Sequence, residues 1–445
     1  MAKPIISVSG LRGIIGESLD PATAMFYACA FAQQLPPGPI VVTRDGRGSG
    51  AMLAAAVHSG LMACGRQVLY AGIAATPTLG VLVRQTSAAG GIQISASHNP
   101  APYNGIKLFG REGRVLSAAE GQSVMERFQA HDIPWESADR LGSVSSIADS
   151  TSRHLELVLA TVDVAAIRRR QFKVVLDANH GAGSILARRL FDALGVQFQI
   201  LGDVPDGRFE HLPEPTSENL RTIAQRAVSL GADVVFCQDP DADRVAIIDE
   251  QGTYIGEEFT LAITLRHRLQ SGRGPVVVNC ATSRMASEIA ERLGCVCHLS
   301  PVGEANVVEQ MIELGAIYGG EGNGGPIDPR VGYVRDSFVA MAQVLDALAR
   351  SGASVSELIR DLPQYAIYKS TISLDWDRIP AWLAELEFHN REASISRLDG
   401  LRLDWPDRWL LVRPSNTEPL VRAIAEARNE ATARALCEMA ARMVK

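Results

Sequence analysis

One pattern occurs three times along this chain. The copies are "PIVVTRDGRGSGAMLAAAVHSGLMACGRQVLYAG", "FKVVLDANHGAGSILARRLFDALGVQFQILGD" and "GPVVVNCATSRMASEIAERLGCVCHLSPV". Each runs β-branched strand, loop, helix, glycine stop, strand, which is the βαβ signature of a parallel sheet. Gly65, Gly195 and Gly294 stand where each helix should end in a left-handed turn. A further helical stretch then leads to one more strand in every copy. That strand empties into a distinctive loop: "GIQISASHNP", "ADVVFCQDPDADR" or "AIYGGEGNGG". Ligands of open α/β sheets bind beyond the carboxyl ends of strands, so three such loops on three like units are expected to face one cleft.

The tail breaks the pattern. "WDRIPAWLAELEF" reads as helix, and the stretch from "ISRLDGLRLDW" onward reads as a short meander, a loop and a final helix. At 445 residues the chain has room for two to four domains. The expected division is 1–150, 151–252, 253–366 and a smaller α+β unit at 367–445.

Composition narrows the partners. Apolar residues are 47% and charged residues 21%, which supports several packed cores and excludes compositional disorder. A net charge of −7 argues against nucleic acid or an acidic membrane surface as partner, so an anionic ligand must be held by local arginines and lysines. No apolar run reaches the roughly 18 to 20 residues of a spanning helix, and "MAKPIISVSG" lacks a signal-peptide layout. Seven scattered cysteines fit buried thiols of a reducing, cytoplasmic protein; Cys295 and Cys297 alternate on one strand without a second pair of metal ligands.

The loops carry the chemistry. In "SASHNP" a strand ends on Ser97, His98 and Asn99, either an ordinary turn or a nucleophile held on a loop. Asp239, Asp241 and Asp243 alternate in "DPDADR", and three carboxylates so close repel unless a cation lies between them. Magnesium fits, since it takes oxygen ligands and leaves positions for water or phosphate; a solvated acidic turn is the alternative. An EF-hand calcium loop does not fit: its sixth position would be Arg244 instead of glycine, and strands flank it instead of helices. Arg244 brings a positive charge to the acidic run, as a salt bridge or against a ligand.

"RPSNTEPLVR" gathers Arg413, Ser415, Asn416, Thr417 and Arg422 around one turn, a donor set suited to a phosphate dianion. "GGEGNGG" sets Glu321 and Asn323 among glycines; each engages two groups, as vicinal sugar hydroxyls require. "LDANHGAGS" has Gly181 and Gly183 but no third glycine at dinucleotide spacing, so no nicotinamide cofactor is expected.

Together the loops resemble the α-D-phosphohexomutase superfamily, which includes phosphoglucomutase, phosphomannomutase and phosphoglucosamine mutase. "SGLRG" is similar to its N-terminal signature, "SASHNP" to its phosphoserine loop, "DPDADR" to its metal loop, "GEGNGG" to its sugar loop and "RPSNTEP" to its phosphate loop; "PDGRFEHLPEP" also resembles a family segment. The resemblance covers nearly the whole chain. It implies an α/β fold of three similar domains with mixed sheets plus a smaller α+β C-terminal domain, in a heart-shaped arrangement.

It also implies roles. Ser97 would carry a phosphoryl group, beside Mg2+ held by Asp239, Asp241, Asp243 and an oxygen on Ser97. A sugar bisphosphate would form and turn over within the site. Arg413, Ser415, Asn416 and Thr417, with Arg422, would hold the phosphate that is not reacting. Glu321 and Asn323 would hold the 3- and 4-hydroxyls. Lys107 matches a position of proton transfer or charge stabilisation, and His98 and Arg12 match positions lining the phosphoserine. Two departures stand out: Gly325 occupies a place where many relatives carry histidine, and Pro301 one where many carry a basic residue.

The motifs look most like the archaeal-type phosphoglucosamine mutases, with glucosamine 6- and 1-phosphates as the expected pair and the mannose and glucose phosphates as alternatives. Other readings are a magnesium-dependent sugar phosphatase and a non-catalytic phosphosugar-binding protein. The chain is expected to work as a monomer or homodimer.

Overall fold

The structure is a computed structural model that describes residues 4–7, 10–415 and 419–444. The three repeated stretches build three sheets with one strand order. In the first, Val68–Ile73, Ile40–Arg44 and Gly90–Ile94 run parallel, and Tyr103–Gly110 returns antiparallel beside the third. In the second the same places are taken by Gln197–Leu201, Lys173–Asp177, Val234–Gln238 and the returning Val245–Ile248. In the third they are taken by Cys297–Ser300, Val276–Asn279, Tyr318–Glu321 and Gly325–Ile327. The returning strand is what makes each sheet mixed, and the three distinctive loops are the turns into it.

The helices follow the sequence signals. Gly50–Ala63, Gly183–Leu194 and Met285–Arg292 cross over between the first two parallel strands of their units. Gly65, Gly195 and Gly294 all have positive φ, at 72°, 65° and 69°, where a side chain would strain the turn. The first sheet gains Gly10–Ile14 and Ile5–Ser7 at one edge and Val144–Ser146 at the other. The C-terminal sheet is antiparallel, in the order Ala366–Ser373, Leu420–Ala427, Trp409–Pro414, Leu401–Asp404, Ser394–Ser396, with helices Ile379–His389 and Glu430–Arg442. The final helix starts on Asn429, whose side chain accepts from Thr432 N at 2.9 Å.

Packing divides the molecule unevenly. One apolar cluster runs through both the second and third units: Val174, Phe191, Phe236 and Val245 lie in it with Val276, Tyr318, Phe338 and Leu345. The first unit keeps its own core around Phe31, Val42, Ile92 and Ile106, and the last unit one around Trp382, Leu403, Leu410 and Ala425. Polar bolts join the pieces. His154 bonds Thr78 Oγ1 at 2.9 Å and Asp336 Oδ2 at 2.7 Å. All three are buried, so this chain of hydroxyl, imidazole and carboxylate ties the first unit to the third and does no chemistry on a solute. Trp409 packs on Cys280, and Glu426 Oε1, which accepts from Trp409 Nε1 at 2.7 Å within the last sheet, also accepts from Arg284 N at 3.1 Å, fastening that sheet to the third unit.

Five cysteines are buried, Cys295 and Cys297 are half-buried, and all seven are free thiols. Among the described residues no helix is long and apolar enough to cross a membrane.

Candidate active site

The loop after Gly90–Ile94 is held by Arg47, which is 2% exposed. Its guanidinium donates to Ser97 O and Asn99 O at 2.6 Å each, to Pro100 O at 2.8 Å and to Tyr103 O at 3.1 Å. Asp45 pairs with Arg47 at 3.1 Å and accepts from Ser95 Oγ at 2.6 Å, and Ser95 Oγ accepts from Ser97 N at 2.9 Å. This frame keeps Ser97 at φ 48°, a left-handed conformation that costs a serine roughly 1 kcal/mol or more. The result is a hydroxyl aimed at the second unit: Ser97 Oγ donates to Asp239 Oδ2 at 2.8 Å.

Asp239, Asp241 and Asp243 are fully buried, and one oxygen from each lies within 4.8 Å of the others. Oδ2 of each is taken by a neighbour, and Asp239 Oδ1 also accepts from Arg244 N at 3.2 Å. Asp239 Oδ2 accepts from Ser97 and from Arg244 Nη2 at 3.2 Å. Asp241 Oδ2 accepts from Lys107 Nζ at 2.5 Å and from Thr76 Oγ1. Asp243 Oδ2 accepts from Lys107 Nζ at 3.0 Å and Arg335 Nη2 at 2.7 Å. Asp241 Oδ1 and Asp243 Oδ1 are buried with no donor. Orphaned carboxylate oxygens in an all-oxygen cluster fit a hard divalent cation, with the outer partners orienting each ligand.

The electrostatics agree. Burial first, then the charges on Asp243 and Asp241, push the Asp239 carboxyl up to about 7. Burial also opposes ionisation of Asp243, but Arg335, Lys107 and Arg244 outweigh it and hold that carboxyl well below the usual range. Lys107 and Arg244 pay for desolvation yet are held above their ordinary values by the aspartates. His98, whose Nδ1 is 3.3 Å from Ser97 Oγ, is driven down to about 2 by burial and by Arg244 and Arg12, so its ring is neutral. Arg12, half-buried, donates to Asn99 Oδ1 at 3.1 Å. In formal charge the cluster of Asp239, Asp241, Asp243, Glu304 and Glu321 faces Arg12, Lys107, Arg244 and Arg335. A divalent ion turns that balance from negative to positive, which suits an arriving phosphate.

The sugar-loop pair sits across the cleft. Glu321 Oε1 accepts from Asn279 Nδ2 at 2.7 Å and Gly303 N at 3.1 Å; its Oε2 accepts from Arg335 Nη1 at 2.6 Å and Asn323 Nδ2 at 3.4 Å. Asn323 Oδ1 has no partner. On the last sheet Arg413 pairs with Asp399 at 2.8 Å, and Arg422 lies opposite it in register. Ser415 is buried; Asn416 and Thr417 lie outside the described residues.

Two cavities meet at Val302, Glu321, Asn323 and Arg413. The first, about 430 Å³, opens on Ser97, His98, Lys107, Arg12 and Arg244. The second, about 540 Å³, opens on Arg413 and Arg422. These sizes suit a small ligand reaching from the serine to the distal arginines. The structure therefore brings Arg12, Ser97, His98, Lys107, Arg244, Glu321, Asn323, Arg413 and Arg422 onto these cavities, with the aspartates buried against Ser97, Lys107 and Arg244; Ser415 lines neither cavity.

Sequence reasoning passed over Arg47, Thr76, Asn279, Glu304 and Arg335. Asn279 carried a usable signal, a polar residue at the carboxyl end of a buried strand, "VVVN". The others make their contacts across sequence separations that no local pattern marks.

Four consecutive stretches match the phosphoglucomutase/phosphomannomutase family: alpha/beta/alpha domain I over residues 4–133, domain II over 152–252, domain III over 257–365 and the C-terminal domain over 380–443. A phosphoglucomutase/phosphomannomutase of Thermococcus kodakarensis is 36% identical over 98% of this chain and 97% of its own length. A probable phosphoglucosamine mutase of Methanopyrus kandleri is 33% identical over 96% of this chain and 95% of its own. The crystal structure of a phosphoglucomutase/phosphomannomutase family protein from Burkholderia thailandensis superposes with a TM-score of 0.86 at 27% identity, covering 99% of this chain and 98% of that one.

Proposed function

The chain belongs to the phosphoglucomutase/phosphomannomutase family and is a phosphohexomutase, and we propose that it interconverts glucosamine 6-phosphate and glucosamine 1-phosphate through a phosphoserine at Ser97. The observation that carries the serine is its 2.8 Å hydrogen bond to Asp239, which joins the phosphoryl carrier to the cation cluster. What favours glucosamine is the likeness in length and motifs to relatives named probable phosphoglucosamine mutase. The glucose and mannose phosphates are the second reading, since a relative of equal coverage is named phosphoglucomutase/phosphomannomutase.

In this reading Asp239, Asp241 and Asp243 hold magnesium. When bound, the ion withdraws charge from the phosphoryl oxygens as they transfer. The chain does the rest. In the forward half-reaction the bond between phosphorus and Ser97 Oγ breaks as a bond to a sugar hydroxyl oxygen forms, and the hydroxyl proton ends on Ser97 Oγ. In the return half-reaction the other phosphate's bond to its sugar oxygen breaks as a bond to Ser97 Oγ forms, and the Ser97 proton ends on that sugar oxygen, leaving the isomer. Lys107 and Arg244, each paired to two of the aspartates, supply positive charge beside Ser97. Arg12 lines the same wall, and neutral His98 offers Ser97 a hydrogen-bond partner. Glu321 and Asn323 take the sugar hydroxyls, and Arg413 with Ser415, Asn416, Thr417 and Arg422 grips the idle phosphate.

The test is a coupled assay on glucosamine, glucose and mannose phosphates, each primed with its bisphosphate. Preferential turnover of the glucosamine pair supports the reading. Release of inorganic phosphate at the rate of substrate loss would establish a phosphatase instead.

A further inference from the structure

Arg335 immediately precedes Asp336, the N-cap of the helix Ser337–Ser351. Its side chain is 14% exposed and forms part of the cleft wall near Ser97. Nη2 donates to Asp243 Oδ2 at 2.7 Å, and Nη1 to Glu321 Oε2 at 2.6 Å. Nε lies 3.3 Å from Glu304 Oε2, and the backbone N–H donates to Glu304 Oε1 at 3.0 Å. One planar guanidinium thus spans a cation-cluster carboxylate and the sugar-loop carboxylate, a fork that a lysine cannot reproduce.

The room for that span comes from Gly325. A Cβ placed on Gly325 would lie 2.5 Å from Arg335 Cδ, 2.9 Å from Cγ and 3.0 Å from Cβ. The arginine stem is pressed flat on the glycine Cα, and the constraint is steric, because the backbone there has no left-handed φ. Any side chain at 325 must push the stem away from the sheet.

The two ends of the fork differ. Asp243 keeps Lys107 at 3.0 Å and Arg244 at 3.6 Å if Arg335 is lost. Glu321 has no other cation within ion-pair range among the described residues, and its remaining donors are neutral. Losing Arg335 therefore leaves Glu321 a buried carboxylate without its cation, no longer held in place from that side. We propose that Arg335 is a positioning residue of the mutase, aiming the Glu321 carboxylate at the sugar, and that Gly325 is required because it seats the arginine stem.

The inference rests on the proposed reading of the cleft. The experiment uses the full chain as wild type, Arg335→Ala, Arg335→Lys, Gly325→Ala and the Arg335→Ala/Gly325→Ala double variant. Binding of glucosamine 6-phosphate and glucose 6-phosphate is measured by calorimetry on metal-stripped protein, and kcat, KM and melting temperature on each variant. Arg335→Ala should weaken sugar-phosphate binding by about tenfold or more, as truncating a buried charge pair does. Arg335→Lys should restore only part of it, and magnesium affinity should shift less than sugar affinity. Gly325→Ala should mimic Arg335→Ala but add little in its background, because its effect runs through the arginine. Unchanged sugar affinity with a lowered melting temperature, or effects of the two substitutions that multiply, overturns the proposal. Wild type that binds these sugars without interconverting them refutes the mutase reading and leaves the coupling test intact.

Discussion

Ser97 Oγ and Asp239 Oδ2 are 142 residues apart in sequence and 2.8 Å apart in space. The contact joins a strand-end loop of the first sheet to the equivalent loop of the second. It puts a hydroxyl within reach of carboxylates that are themselves arranged for a cation.

Replacing that hydroxyl separates chemistry from folding. Ser97→Ala should lower kcat by a factor of about 10³ or more, because Thr76 Oγ1, the other hydroxyl bonded to these aspartates among the described residues, is fully buried and lines neither cavity. Arg47 still clamps the loop carbonyls, so the melting temperature should stay close to wild type. A steady-state assay beside a thermal melt checks both, and near-normal turnover would remove Ser97 from the reaction.

Asp241→Asn removes one ligand charge while keeping the shape. Divalent-cation affinity by calorimetry should fall at least about tenfold, the scale seen when metal-site ligation is disturbed. An unchanged affinity for magnesium would mean that the aspartates bind no ion.

Arg413 is a fifth exposed and pairs with an equally accessible Asp399. A pair so placed contributes about 0–1 kcal/mol to stability, so Arg413→Ala should barely move the melting temperature. It should raise KM for sugar phosphates by about tenfold, since it faces the meeting point of both cavities. A fall in melting temperature without a change in KM would make Arg413 a structural residue.

Arg47 is the opposite case. Arg47→Met strips four carbonyl oxygens of their donor and leaves Asp45 buried without its charge partner. The expected loss is about 3–5 kcal/mol in urea unfolding, together with reduced kcat as the Ser97 loop relaxes. A loss below about 1 kcal/mol would show that the loop holds itself.

His211 gives a pH signature away from the cluster. Burial opposes its charge, but the 2.8 Å pair with Asp177 outweighs burial and raises its pKa above the ordinary 6.5. Stability from the charged pair is therefore fully present below pH 6.5 and lost as pH rises through the raised value. The stability gap between wild type and His211→Gln should be larger at pH 6 than at pH 9, by chemical denaturation at each pH. An equal gap would mean that the imidazole is neutral throughout.

Much of this molecule is legible in its residues because the decisive signals are local. Strand, helix and glycine stop recur at short range, so the three units and their loops follow from periodicity alone. Asp239, Asp241 and Asp243 lie within one turn, and so do Glu321 and Asn323. The returning fourth strand is uneven: "VAII" already reads as a strand beside the acidic loop, whereas "GPI" is only three residues long and carries no pattern of its own. Arg335 and Arg47 are harder still. Each is a lone basic residue whose worth depends on carboxylates and carbonyls that the fold delivers from elsewhere, and nothing near them in sequence distinguishes them from a solvated arginine.

The continuous apolar interior beneath the second and third sheets has a consequence for catalysis. Hinge motion between those two sheets would tear open a packed hydrocarbon interior, so the span from Asp243 to Glu321 behaves as a fixed ruler. In the proposed reaction, a hexose that presents first one end and then the other to Ser97 has to do the rotating itself, against a frame that does not adjust.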